Sequence, residues 1–164
     1  MILSAAINRL SATAAMMMFL VYSALNGMTL SIIFVVYTRS SIASTFFVTA
    51  GTFGAMSLYG HLTKRDLTSW GSFLTMGLFG IIIASVVNIF LKSEMVTWIV
   101  TYIGIFVFIG LTAYDTNKLK IIARQGFNDE ETEKKVGILG ALTLYLDFIN
   151  LFLLLLRVLG GRRD

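Results

Sequence analysis

The chain has 164 residues, of which 57% are hydrophobic and only 13% charged, with a mean hydropathy of +0.83. A soluble domain carries nearer a quarter charged residues, so this balance excludes an ordinary soluble domain and points to a bilayer. The lack of cysteine excludes disulfides, thiolate metal sites and cysteine nucleophiles, the single histidine excludes a multi-histidine metal site within one chain, and a formal charge of +4 carried in short loops reads as membrane topology rather than nucleic-acid binding.

Residues 1–8 are apolar and helix-like but too short to span. They show neither the charged n-region nor the small-residue cleavage site of a signal peptide, and read as the end of a helix whose beginning is missing. A span needs about 20 mostly apolar residues. Five segments qualify, at about 12–37, 42–61, 70–91, 95–116 and 138–158. The apolar residues run continuously, without the period of two that barrel strands need. The expected fold is therefore an all-α integral membrane protein, a helical bundle in a single domain. With no proline in the chain, kinks must come from glycine or from inserted polar groups.

Each span carries a small or polar stripe at helical spacing. In chain order these are Ser23, Asn26 and Thr29; then Ala50, Gly54, Ser57 and His61; then Gly77, Gly80, Ala84 and Asn88. The fourth span offers Gly104, Phe108, Thr112 and Asp115, and the fifth Gly140, Thr143, Asp147 and Asn150. Small residues let helices approach closely, so the glycine and alanine stripes read as packing faces. His61 reads as interfacial. The segment at about 117–137 mixes both signs and is expected to be a solvated loop, and its acidic cluster lacks the spacing and glycine of an EF-hand.

Topology follows from the cations. The N-terminal stub and the loops after the second and fourth spans carry Arg9, Lys64, Arg65, Lys118, Lys120, Arg124, Lys134 and Lys135, against Arg39, Lys92, Arg157, Arg162 and Arg163 on the other side. The positive-inside rule makes the first side cytoplasmic.

The chemistry lies in the two aspartates. A carboxylate at the bilayer centre costs several kcal/mol unless it is paired, hydrated or protonated. Asp147 falls in the middle of the fifth span, on a polar stripe that must face protein or water. It either makes a packing hydrogen bond or lines an ion or proton path, and the stripe favours the path. Thr112, Thr143 and Asn150 are the candidate lining residues beside Asp115 and Asp147. Asp115, at the end of the fourth span, also reads as an interfacial residue.

Two segments carry a family resemblance. These are Gly110-Leu111-Thr112-Ala113-Tyr114-Asp115-Thr116-Asn117-Lys118-Leu119 and Leu144-Tyr145-Leu146-Asp147-Phe148-Ile149-Asn150-Leu151-Phe152. Both resemble the last two helices of the Bax inhibitor-1, or transmembrane Bax inhibitor motif, family. The resemblance covers essentially the whole chain and lies nearest the bacterial inner-membrane branch. It implies a seven-helix fold of which five spans are present here, with the last helix central and the others around it. It also implies a multi-pass inner-membrane protein and a calcium leak controlled by a pH-sensing aspartate pair, mapping onto Asp115 and Asp147. Arg9 maps onto a basic residue that pairs with the first aspartate. Two close carboxylates in low dielectric cannot both ionise cheaply, so they share a proton. The same pair is a weak, transient ligand set for calcium, which prefers oxygen.

Two other readings compete. The Tyr114-Asp115 pair resembles that of presenilin-type intramembrane aspartyl proteases. Those enzymes need a Gly-x-Gly before the second aspartate and a later proline motif, where this chain has Leu144-Tyr145-Leu146 and no proline. An enzyme is therefore not expected, nor a cofactor. A stress-response protein that binds partners, such as a membrane quality-control protease, without ion flux remains the alternative. The expected partners are the lipid bilayer, calcium ions or protons, and that protease, with no nucleic acid.

Overall fold

A computed structural model of the chain describes residues 9–161. The expectation for residues 1–8 lies outside the described residues. Among the described residues, five helices are long and apolar enough to cross a membrane. The first is α1 (Ala12–Leu30), followed after a break by the single turn α2 (Ile33–Val36). Then come α3 (Arg39–Leu62), α4 (Thr68–Leu91), α5 (Glu94–Gln125) and α6 (Glu130–Leu159). Most apolar side chains of α1 and α4 face outward, as Met28 and Phe90 do, which suits lipid rather than water.

Helix starts follow cap chemistry. Ser11, Thr38, Ser93 and Asp129 each accept from a backbone N–H three residues on, satisfying one of the orphan donors of the first turn. The break after α1 is a polar insertion of the expected kind. The Ser31 hydroxyl donates to the Met28 carbonyl at 2.6 Å, and the Ser31 amide turns to the same oxygen at 3.3 Å, which tightens the last turn.

The segment expected as a loop at 117–137 is mostly helix. α5 runs nine residues past the expected end at 116, and α6 begins eight residues before 138, leaving a turn of only 126–129. Hydropathy marks where the hydrocarbon stops, whereas a helix stops where its capping residues stand. Here Gly126 takes a left-handed φ of 78° and ends α5. Asp129 caps α6, and Glu130, Glu131 and Glu133 crowd its first turn, where the helix dipole favours negative charge. The acidic cluster is thus a helix start. Lys118, Lys120 and Arg124 are good helix formers that carry α5 past the apolar slab.

The bundle has two central helices. α6 packs against α1, α3 and α5, in line with its expected place, while α5 packs against α3, α4 and α6 and is the more buried span. α4 is carried by α5 through Leu74, Val107, Phe108 and Leu111, which join Leu151 of α6 in one core. A second core seats α1 on α6 through Ala12, Ala15, Ile138 and Leu142. Phe46 and Phe53 of α3 meet Phe148 of α6 edge-to-face at 5.6 and 5.4 Å, a geometry aromatic quadrupoles prefer. At the far end, the Thr38 amide donates to the Gly161 carbonyl and the Gly161 amide to Ser41 Oγ, tying the end of α6 to the start of α3.

Candidate functional site

The α5–α6 hairpin positions the two aspartates. Leu119 lies against Gly140 and Leu154 against Gly104, so the helices run antiparallel in a fixed register. In that register the residues across from Asp147 are Leu111 and Thr112, about one turn (~5 Å) from Asp115. Helical side chains tilt toward the N-terminus of their own helix. Asp115 therefore leans along α5 toward Leu111, and Asp147 leans along α6 toward Thr143. In an antiparallel pair those two directions converge. The two carboxyls are thereby brought close enough to interact.

Asp147 is 5% exposed, and its Oδ2 is buried with no N–H or O–H donor reaching it. What faces it is a second carboxyl, Asp115, which is half-buried. Two carboxyls form a hydrogen bond only when one of them carries a proton, because an ionised carboxylate accepts and cannot donate. A hydrogen bond between the two is therefore available only while the pair holds at least one proton.

The other candidates behave differently. Thr112 is fully buried and donates to the Phe108 carbonyl at 2.8 Å. Thr143 donates to the Leu139 carbonyl at 3.0 Å, and the Asn150 amide to the Leu146 carbonyl at 2.8 Å. Each donor is thus satisfied within its own helix, which leaves an oxygen lone pair on each side chain available for another contact. Among the described residues no third His, Cys, Asp or Glu joins the pair to make a three-ligand metal cluster. The ligand set is therefore sparse for calcium, which takes 6–8 oxygens in a tight site.

The expected pairing of Arg9 with Asp115 is absent. The single ion pair among the described residues joins Lys134 to Glu130 at 3.2 Å, and Arg9 is exposed. The reason is the seat of α1. The Ala12 amide donates to Glu131 Oε1 at 2.6 Å, which holds Arg9 beside the first turn of α6. Asp115, across from Thr143 and Leu144 in the hairpin register, lies roughly 20 Å farther along that helix at about 1.5 Å per residue.

Two residues close to the site escaped the sequence reading. Asn117, 2% exposed, accepts from the Leu67 amide at 3.3 Å and donates to the carbonyls of Gly60 at 3.1 Å and Arg65 at 3.3 Å. Lys120 Nζ donates to the Thr63 carbonyl at 2.7 Å. Together they clamp the α3–α4 turn onto α5, two and five residues beyond Asp115. Their spacing, three apart on a helix, was the available signal, but it was hidden inside the segment read as a loop. Orphaned buried hydroxyls also occur at Ser23, Thr45 and Ser57. Ser23 and Ser57 stand on the stripes already described.

Comparison with known proteins settles the family. The sequence model described as "Inhibitor of apoptosis-promoting Bax1" matches residues 1–164. The chain belongs to the Bax inhibitor-1 family. It is 63% identical over 163 residues to the inner membrane protein YbhL of Escherichia coli K12, covering 99% of this chain and 70% of that relative. It is 54% identical over 157 residues to the protein RP147 of Rickettsia prowazekii, covering 96% and 66%. A Borreliella burgdorferi protein is 49% identical over 162 residues, covering 99% and 70%. This Bax inhibitor-1 family chain is a multi-pass protein of the inner membrane, in accord with its five spans.

Proposed function

We propose that this protein is a pH-sensitive calcium leak whose path is gated by the Asp115–Asp147 pair. One observation carries the reading: two carboxyls meet in the middle of the bundle, and no donor of the protein reaches Asp147 Oδ2. Such an arrangement is costly in a bilayer and is kept where a site must change charge. With a proton between them the carboxyls latch α5 to α6. Loss of that proton removes the hydrogen bond and sets two like charges at contact, which drives the helices apart. The freed carboxylates then offer a hydrated cation two oxygen ligands, with the lone pairs of Thr112, Thr143 and Asn150 close by. Binding of that kind is weak, as conduction requires, since an ion must also leave. No protease activity is proposed, because the residues around Asp147 lack the motif that activates such aspartates.

The test is calcium flux through the purified protein in liposomes, measured across pH. Asp147→Asn mimics the neutral carboxyl and cannot titrate, so its flux should lose the pH-dependent step. Asp115→Asn should shift that step by abolishing the coupling. Flux that keeps its pH dependence in both variants would defeat the latch. A protein that acts only by binding a partner such as a membrane protease would give no flux and tolerate Asp147→Asn.

A further inference from the structure

A cavity of about 280 Å³ opens between α3, α4 and α5 toward the surrounding lipid, and neither Asp115 nor Asp147 lines it. Its walls include Met56, Tyr59, Trp70, Phe73 and Tyr114, and Arg65 stands among the residues that line it. Trp70 is 58% exposed and Phe73 67%, so the opening faces the bilayer. An apolar slot in that position meets acyl chains before anything else. Tryptophan and tyrosine prefer the headgroup level of a bilayer, which places this slot at the interface.

Arg65 decides which lipid. The turn that bears it is held by Asn117 and Lys120, as described, so its backbone is fixed at the rim. Its guanidinium takes part in no ion pair among the described residues. The neighbouring carboxylate does not neutralise it: Asp66 accepts from the Thr68 amide at 2.9 Å and from the Thr68 hydroxyl, which turns it to the start of α4. Lys64 and Lys120 add positive charge nearby. A guanidinium with free donors beside an apolar slot is complementary to a phosphate carrying an acyl chain. We infer that this slot binds an anionic phospholipid, with an acyl chain against Trp70 and Tyr114 and the phosphate on Arg65.

The two tryptophans of the chain, Trp70 and Trp98, make the test direct. Trp98 begins α5 at the opposite end of the bundle, so Trp98→Phe leaves Trp70 as the reporter. That protein is reconstituted in phosphatidylcholine vesicles with a minor share of phosphatidylglycerol, and either lipid carries brominated chains that quench tryptophan. At equal mole fraction, brominated phosphatidylglycerol should occupy the slot with about a fivefold preference, the enrichment one well-placed cation confers. Arg65→Gln should abolish the preference, Arg65→Lys should restore most of it, and Lys118→Gln, an exposed charge off the slot, should leave it intact. Equal quenching by the two lipids in the unaltered site overturns the proposal. So does a preference that survives Arg65→Gln, or one that Lys118→Gln lowers as much, since that would be attraction to the basic surface at large.

Discussion

Asn117 shows how much one buried polar side chain can hold. Its amide satisfies the Leu67 N–H, the Arg65 carbonyl and the carbonyl of Gly60 in the last turn of α3. Asn117→Ala leaves those groups buried and unpaired, at a cost of about 3 kcal/mol. Asn117→Asp keeps the oxygen that accepts from Leu67 but loses both donations, and should fall between. Thermal unfolding in detergent would rank the three proteins, and equal stability of Asn117→Ala would show the clamp to be idle. Asp129 offers a pH-dependent counterpart outside the membrane. The Thr132 amide beside it, donating at 2.6 Å, holds its carboxyl below the usual carboxylate range. A depressed value means that the stabilisation is present above the ordinary carboxylate range and lost as pH falls through the folded value. Hydrogen-exchange protection at the Thr132 amide should therefore be flat at neutral pH and fall below about pH 4, and Asp129→Asn should remove that dependence.

At the scale of elements, close approach is concentrated at a few glycines. A methyl group on Gly60 would collide with the Ala113 carbonyl, a backbone atom that cannot rotate aside, whereas one on Gly54 would meet nothing within 4 Å. Gly60→Ala should separate α3 from α5 and cost ~1–3 kcal/mol, while Gly54→Ala should be close to neutral. Differential scanning of the two variants distinguishes them, and similar melting temperatures would contradict the packing. The sequence stripe pointed to Gly54, because spacing reveals a face but not the distance to whatever opposes it. By contrast, Gly104 and Gly140 were on stripes and do receive Leu154 and Leu119. Span number and type were legible because a bilayer demands long continuous apolar runs. The ends of α5 and α6 were not, because beyond the apolar slab a charged helix and a charged loop have the same hydropathy. The pairing of Asp115 with Asp147 was expected from the family resemblance, whereas the hairpin register that brings them together is set by packing. Asn117 and Lys120 were missed for a related reason: their helical spacing lay in the segment read as a loop, and their partners are backbone groups.

For the whole molecule, the structure gathers the cations by end. The start of α1, the α3–α4 turn and the α5–α6 turn lie at one end, joined by the Ala12–Glu131 and Asn117 contacts. That end bears Arg9, Lys64, Arg65, Lys118, Lys120, Arg124, Lys134 and Lys135, while Arg39, Lys92 and Arg157 mark the other. Only the ends of the helices carry these charges, so the asymmetry belongs to the short segments that set orientation during insertion. The chain contains no cysteine, so single cysteines can be placed without background. Arg124→Cys and Arg39→Cys replace exposed residues at opposite ends. In intact spheroplasts a membrane-impermeant maleimide should label the Arg39→Cys protein and reach the Arg124→Cys protein only after the membrane is opened. The reverse pattern would invert the orientation, and with it the side from which protons reach Asp115, the half-buried member of the pair. Because Asp115 lies nearer the basic end than Asp147 does, the inverted protein would sense the opposite compartment. Side-specific pH jumps across loaded liposomes would then move the flux step from one face to the other.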